Sequence, residues 1–159
     1  MLLTNKKKFM QRALIQAVQA SKIQEVPVGA VIVKNNKIIA EAHNLLIKNS
    51  DPTNHAEIIA IKDAAKKIGN YRLVDCDIFV TLEPCTMCIG AIFNARINNL
   101  FFGAYDKKTG ACESRLSLAS NKDINHHCKV QGGILEEESK RILQEFFKTK
   151  RQKKTAAKR

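Results

Sequence analysis

The sequence predicts one α/β domain: five strands in a mixed, partly parallel sheet, with helices on both faces. Strand-like and helix-like segments alternate along most of the chain. The run VGAVIV from Val28 is continuously apolar and rich in β-branched residues, as in a strand covered on both sides. Helical segments of about 10 to 15 residues separate the later strands, a spacing that suggests parallel pairs.

Each element follows from its pattern. Phe9, Met10, Ala13, Leu14, Ala17 and Val18 recur at helical spacing, so an amphipathic helix is expected over about Lys6 to Ser21. The strand from Val28 then meets Asn35-Asn36, a turn signal, and KIIAEA returns as the second arm of a hairpin. After the loop KNSDPTN, residues Ile58, Ile59, Ile61, Ala64, Ala65 and Ile68 define a helix over Ala56 to Ile68 that Gly69 stops. CDIFVTL (76 to 82) reads as a buried strand, residues 85 to 95 as a buried helix, and NNLFFGA (98 to 104) as another strand. A polar loop, a short helix near Ser114 to Ala119, a short strand in CKVQGG and a last helix over about Glu136 to Lys150 complete the domain. The domain thus covers residues 1–150, with a basic tail over 151–159.

At 159 residues the chain is long enough to bury a core without staples. Hydrophobic and charged contents of 45% and 26% are those of an ordinary globular protein. No run of about 18 apolar residues is present, and the N-terminus lacks a secretion pattern, so no membrane partner and a cytoplasmic location are expected. Five cysteines, an odd number without an export signal, read as reduced thiols rather than a disulfide framework. Of the net charge of +12, seven positive residues lie between Lys148 and Arg159 with no acid among them. That end is either a solvated tail or an arm for phosphates.

The chemistry gathers in HAE (55 to 57) and EPCTMC (83 to 88). Catalytic zinc sites use three protein ligands and leave a fourth position to water, and His55, Cys85 and Cys88 supply that count. Cys85 and Cys88 lie three apart at a helix start and share a face. Pro84 sits where a missing N–H costs nothing. Both ligand sets stand at helix N-termini, whose partial positive charge offsets the excess negative charge of two thiolates and a hydroxide. Glu57, in the first helical turn, can reach the same point and move protons. Three duller readings compete: a redox C-x-x-C pair, a structural zinc closed by Cys76, Cys112 or Cys128, and coincidence.

HAE at a helix start and PCTMC after a strand resemble the H-x-E and P-C-x-x-C signature of zinc-dependent nucleobase deaminases. With EVPVGAVIV, DPTNHAEI, YRLVD, VTLEPCTMCIGA, FGAYDKKTGA and EFFKTKRQ in this order, the chain from Glu25 to Gln152 is similar to the bacterial tRNA-specific adenosine deaminases. The resemblance implies the cytidine-deaminase-like three-layer α/β/α fold, a homodimer, one Zn2+ per subunit and conversion of the wobble adenosine of an arginine tRNA to inosine. It implies zinc on His55, Cys85 and Cys88, and Glu57 as the proton shuttle for water attack at C6 after protonation at N1.

On the matched positions, Asn44 is implied to bind the target nucleoside. The backbone N–H groups of Ala56 and Cys85 are implied donors near it. Asp106 corresponds to a residue near the neighbouring ribose, against the plainer reading of a loop-capping aspartate, and Asn125 is a candidate of the same kind. His43, His126 and His127 read as ordinary polar residues. One of Phe146 and Phe147 is expected in the core and Phe147 is the candidate for the substrate pocket, with Lys150 and Arg151 as phosphate contacts. Tyr105 stands where basic residues are common in relatives, and an aromatic ring there can stack on a splayed base. Two other functions remain open: a deaminase of free cytosine, guanine or a nucleoside, and a non-catalytic, zinc-stabilised RNA-binding module. The first would need no basic tail, the second a fourth protein ligand.

Overall fold

The computed structural model describes residues 1–158. Arg159, the last residue of the expected tail, lies outside them. The elements are α1 (Leu3–Lys22), β1 (Gly29–Lys34), β2 (Lys37–His43), the single turn α2 (Leu46–Asn49), α3 (Ala56–Ile68), β3 (Cys76–Leu82), α4 (Thr86–Asn94), β4 (Asn99–Ala104), β5 (Lys129–Gln131) and α5 (Glu136–Ala156). The strands form one sheet in the order β2-β1-β3-β4-β5. β1 runs antiparallel to β2 and β3, whereas β3, β4 and β5 are parallel.

Period-two alternation sorts the strand residues between two layers of helices. Ile32, Ile78, Val80, Leu100 and Phe102 face the side where Ala60, Ala64, Ile89 and Ile92 of α3 and α4 pack. Val31, Val33, Phe79 and Phe101 face Phe9, Met10 and Ala13 of α1. The three-layer, mixed-sheet sandwich expected from the sequence is therefore present. α1 lies so close to β1 that a Cβ on Gly29 would overlap the Ala13 carbonyl oxygen.

The Asn35-Asn36 turn has positive φ at both residues (50° and 58°), as a two-residue hairpin requires. The β1–β2 ladder carries a register shift between Ile32 and Val33, which the alternation of residue types does not signal. α3 begins and ends as expected, with Gly69 at φ 72° closing it.

Two expectations are corrected. The helix expected over Ser114 to Ala119 is a 3₁₀ turn at Leu118–Ser120, because Ser114 is drawn toward Glu83 and the N–H groups of Arg115 and Leu116 donate to the Gly110 carbonyl. The last helix does not stop at Lys150 but runs to Ala156. Nothing in KRQKKTA breaks a helix. Glu136, Glu137 and Glu138 in its first turn and Lys153 and Lys154 in its last complement the helix dipole.

Strand direction places the site. β3 and β4 are parallel, so the residues after both, Glu83–Cys85 and Tyr105–Asp106, emerge at one end of the sheet. β1 is antiparallel to both its neighbours, so its start, and with it the end of β2, lies at that same end. Asn44, Val26 and Val28 thereby join the group that the N-terminus of α3 completes.

Candidate active site

His55 is the residue before α3 and Cys85 the residue before α4, so each projects from a helix start. His55 Nδ1 lies 3.7 Å from Cys85 Sγ and 3.5 Å from Cys88 Sγ. A tetrahedral zinc with N and S ligands at about 2.05 and 2.3 Å has N···S edges of about 3.6 Å. Among the described residues, these three form a group whose ligand atoms all fall within 4.8 Å of one another, without a fourth member. The remaining cysteines are buried elsewhere, and burial pushes the Cys128 thiol up to about 12.

The electrostatics suit a cation. Cys85 accepts hydrogen bonds from Cys88 and from His55, which outweigh burial and hold it down to about 4. Cys88, the donor in that pair, is raised for the same reason. His55 is raised by its bond to Cys85, against the effect of burial. The pair thus favours a thiolate at Cys85, and a metal that binds both sulfurs displaces the proton of Cys88.

Glu57 is 3% exposed, and its Oε2 is a buried side-chain oxygen with no hydrogen-bond partner. Burial, the largest cause, pushes its carboxyl up to about 7. Orphaned buried oxygens are rare because desolvation without a partner costs about 1–3 kcal/mol. A carboxylate with one unpartnered oxygen beside an imidazole and two thiols is the arrangement that a metal with a reacting water would complete, so the residues present fit zinc.

His55, Glu57, Cys85 and Asn44 line a cavity of about 250 Å³. A wider hollow of about 1150 Å³ adjoins it, and Val26, Leu82, Asp106 and Thr109 belong to both. Asn44 is buried and held at both ends: Oδ1 accepts from Ala56 N–H (2.9 Å) and Nδ2 donates to the Val26 carbonyl (3.0 Å). The Ala56 N–H is therefore engaged by Asn44, and the two expected substrate contacts are joined to each other. Asp106 caps its loop, accepting from Lys108 N–H, Thr109 N–H and the Thr109 hydroxyl. Burial alone would raise its carboxyl, and these bonds bring it below the usual range.

Phe146 is buried and Phe147 is 43% exposed on the wall of the wider hollow. Tyr105 lines that hollow too, edge-on to Phe102. Lys150 does not join them, because its ammonium lies over the Phe146 ring (5.0 Å) on the flank toward α1. Arg151 follows Phe147 by one helical turn and so continues the stripe of Lys140, Leu143 and Phe147. Asn125 is not brought to the cavity. It precedes β5, whose parallel pairing with β4 sets it beside the start of β4 at the opposite end of the sheet, where His126 Nε2 contacts the Ile97 carbonyl.

Two site residues escaped the sequence reading. Glu83 accepts hydrogen bonds from the backbone of Asp106, Glu113 and Ser114, and Glu25 accepts one from Lys48 N–H at 2.8 Å. Both are acids flanking buried strands, the only local signal, and their partners lie 23 or more residues away.

A nucleobase-sized cavity, a His/Cys/Cys metal group and a buried carboxylate on an α/β/α sandwich define a hydrolytic nucleobase deaminase of the cytidine-deaminase-like fold. The family model of MafB19-like deaminases matches residues 4–151. The chain belongs to the family of tRNA-specific adenosine deaminases. It is 49% identical over 148 residues to the tRNA-specific adenosine deaminase of Haemophilus influenzae, covering 92% of this chain and 86% of that one. Against the Bacillus subtilis protein of the same name it is 40% identical over 157 residues, 99% and 98% of the two chains. A solved structure from work on A-to-I editing by tRNA:A34 deaminases at the wobble position superposes with a TM-score of 0.83 at 44% identity, covering 86% of this chain and 99% of that one.

Proposed function

We propose that this protein hydrolyses the wobble adenosine of a tRNA anticodon to inosine, releasing ammonia, and that its substrate is arginine tRNA. The observation that carries the chemistry is Glu57 Oε2, buried without a partner beside His55, Cys85 and Cys88. His55, Cys85 and Cys88 would hold one Zn2+ per subunit. Bound there, zinc supplies Lewis acidity that lowers the pKa of a water from 15.7 to about 7.

Glu57 does the proton work. Burial raises its carboxyl in the metal-free protein and the charge of a bound cation would draw it back down, and a carboxyl at this place can take up and give back a proton. It accepts a proton from the water that attacks C6 and delivers it to N1 of the ring; it then takes the proton of the new C6 hydroxyl and hands it to the amine, which leaves as ammonia as the C6–N bond breaks and the C6 carbonyl forms. Asn44, fixed by Ala56 and Val26, orients the nucleoside. The wider hollow, with Tyr105, Asp106 and Phe147 on its walls, takes the neighbouring nucleotides, and Arg151 reaches phosphates beyond them. An anticodon loop suits so small a cavity because its bases are already unpaired, avoiding most of the few kcal/mol that flipping from a duplex costs.

The homodimer and the cytoplasmic location rest on family resemblance. Sedimentation at micromolar concentration tests the former, and a monomer would overturn it. The substrate is tested by incubating the zinc-loaded protein with unmodified arginine tRNA and, separately, with free bases, and reading inosine by sequencing. Inosine at the wobble position is expected. Its absence, with ammonia released from a free base, would replace this reading with a free-base deaminase.

A further inference from the structure

We propose that Glu83 is a positioning residue, a latch whose buried carboxylate holds the 105–114 loop over the cavity and so sets how tightly RNA is engaged. The proposal rests on the deamination reading above for its RNA part only. Glu83 is 2% exposed, yet its side chain is committed to a segment far along the chain. Oε2 accepts from Asp106 N–H at 3.0 Å and from the Ser114 hydroxyl. Oε1 accepts from Glu113 N–H at 2.8 Å and Ser114 N–H at 2.9 Å. Both ends of the loop are thus tied to one carboxylate.

The latch couples two parts of the site. Pro84 and Cys85 follow Glu83 directly, and the loop it holds brings Asp106 and Thr109 to the cavity wall. Glu83 N–H donates to the Ala104 carbonyl (2.8 Å) and Ala111 N–H to the Pro84 carbonyl (2.9 Å), so the base of the carboxylate and the return of the loop are fixed by backbone. The stretch between is held by bonds centred on Asp106, by Glu83, and by the Gly110 carbonyl, which accepts from Arg115 and Leu116 N–H. No strand ladder reaches the N–H groups of Asp106, Glu113 and Ser114, and it is the buried Glu83 carboxylate that these bonds satisfy. Gly110 lies against the carboxylate so closely that a Cβ there would overlap both Glu83 and the Asp106 carbonyl. Glu83 stands at the cavity wall, but all the hydrogen bonds of its carboxylate go to the loop, so it acts on substrate through the loop.

Glu83→Gln tests this, because the amide nitrogen turns one acceptor into a donor that faces an N–H. Three readouts are taken on the zinc-loaded protein: zinc content, tryptic cleavage after the exposed Lys107 and Lys108, and kcat and KM on an anticodon stem-loop RNA. Cleavage should accelerate at least about tenfold as the loop opens. KM should rise about tenfold with kcat within about threefold, and zinc should stay near one per chain. Gly110→Ala, which pushes the loop away while leaving Glu83 intact, should reproduce this pattern, and Ser114→Ala should show a weaker version. These two variants carry the test if Glu83→Gln does not fold.

Cleavage and KM unchanged in all three would overturn the latch. So would loss of zinc, or a fall in kcat at constant KM, since either would put Glu83 in the metal chemistry. If the unaltered protein does not deaminate the stem-loop, the substrate assignment fails while the cleavage rates still decide the latch.

Discussion

Glu57 concentrates the physics of the site in one side chain. A carboxylate at 3% exposure with an orphaned oxygen is held against its own solvation, and the α3 N-terminus and the metal group are what make that position useful. Replacing Glu57 by Gln keeps the shape and removes the titration. Turnover should fall by about 10²- to 10⁴-fold, the usual worth of a positioned acid–base, with zinc content unchanged. Turnover within a few-fold of the unaltered protein would remove Glu57 from the mechanism. A stability effect of defined sign accompanies this. The carboxyl rises from 4.5 to about 7 on folding, so folded metal-free protein holds this proton more tightly than the unfolded chain. The associated stability is present below about pH 4.5 and is lost as the pH climbs through about 7. Urea titrations of metal-free protein should therefore show Glu57→Gln more stable at pH 8 by up to about 3 kcal/mol, and little different at pH 4.5. Equal stabilities at pH 8 would mean that the buried carboxylate costs nothing.

At the scale of elements, two contacts decide whether the sandwich closes. The first is the approach of α1 to β1 at Gly29, where backbone meets backbone with no room for a methyl group. Gly29→Ala must push α1 off the sheet face formed by Val31, Phe79 and Phe101. The expected cost is about 3 kcal/mol, or a fall in Tm of roughly 6–12 °C for a chain of this size, read by calorimetry. A Tm within a degree or two of the unaltered protein would contradict so close an approach. The second is the pairing of β3 with β4, which delivers the metal turn and the Asp106 loop to one end of the sheet. Glu83 joins those two products of the pairing through its side chain.

Over the whole molecule the charge is uneven, and α5 makes the unevenness mechanical. Seven of the 27 basic residues lie from Lys148 onward, and through Ala156 they ride on the same helix as Phe147. On this helix the charges up to Lys154 follow Phe147 at helical spacing, although every residue beyond Phe147 is exposed. Ending the chain at Phe147 should flatten the dependence of tRNA affinity on salt, by roughly 0.7 to 0.9 in log–log slope for each phosphate that the helix no longer neutralises. Filter binding across a salt series reads this directly, and an unchanged slope would leave the extension without a role in binding.

The sequence by itself determined the layer order, most element boundaries and the metal group. Alternating and 3.6-residue patterns are local, and H-x-E and P-C-x-x-C each lie within a few residues. It also carried the split between Phe146 and Phe147, since neighbouring residues on a helix point to different sides. Only the tertiary structure decided what joins distant segments. Asn125 looked like a companion of Asp106 along the chain, and parallel pairing of β4 and β5 set the two at opposite ends of the sheet. Lys150 and Arg151 are adjacent in sequence, yet the Phe146 ring draws one of them to the α1 flank. Glu83 reads as one more acid before a proline, and its role exists only because folding brings three N–H groups and a hydroxyl from some 23 to 31 residues downstream to meet it. A hydrogen bond leaves no periodic trace in the chain, whereas burial of an apolar face does.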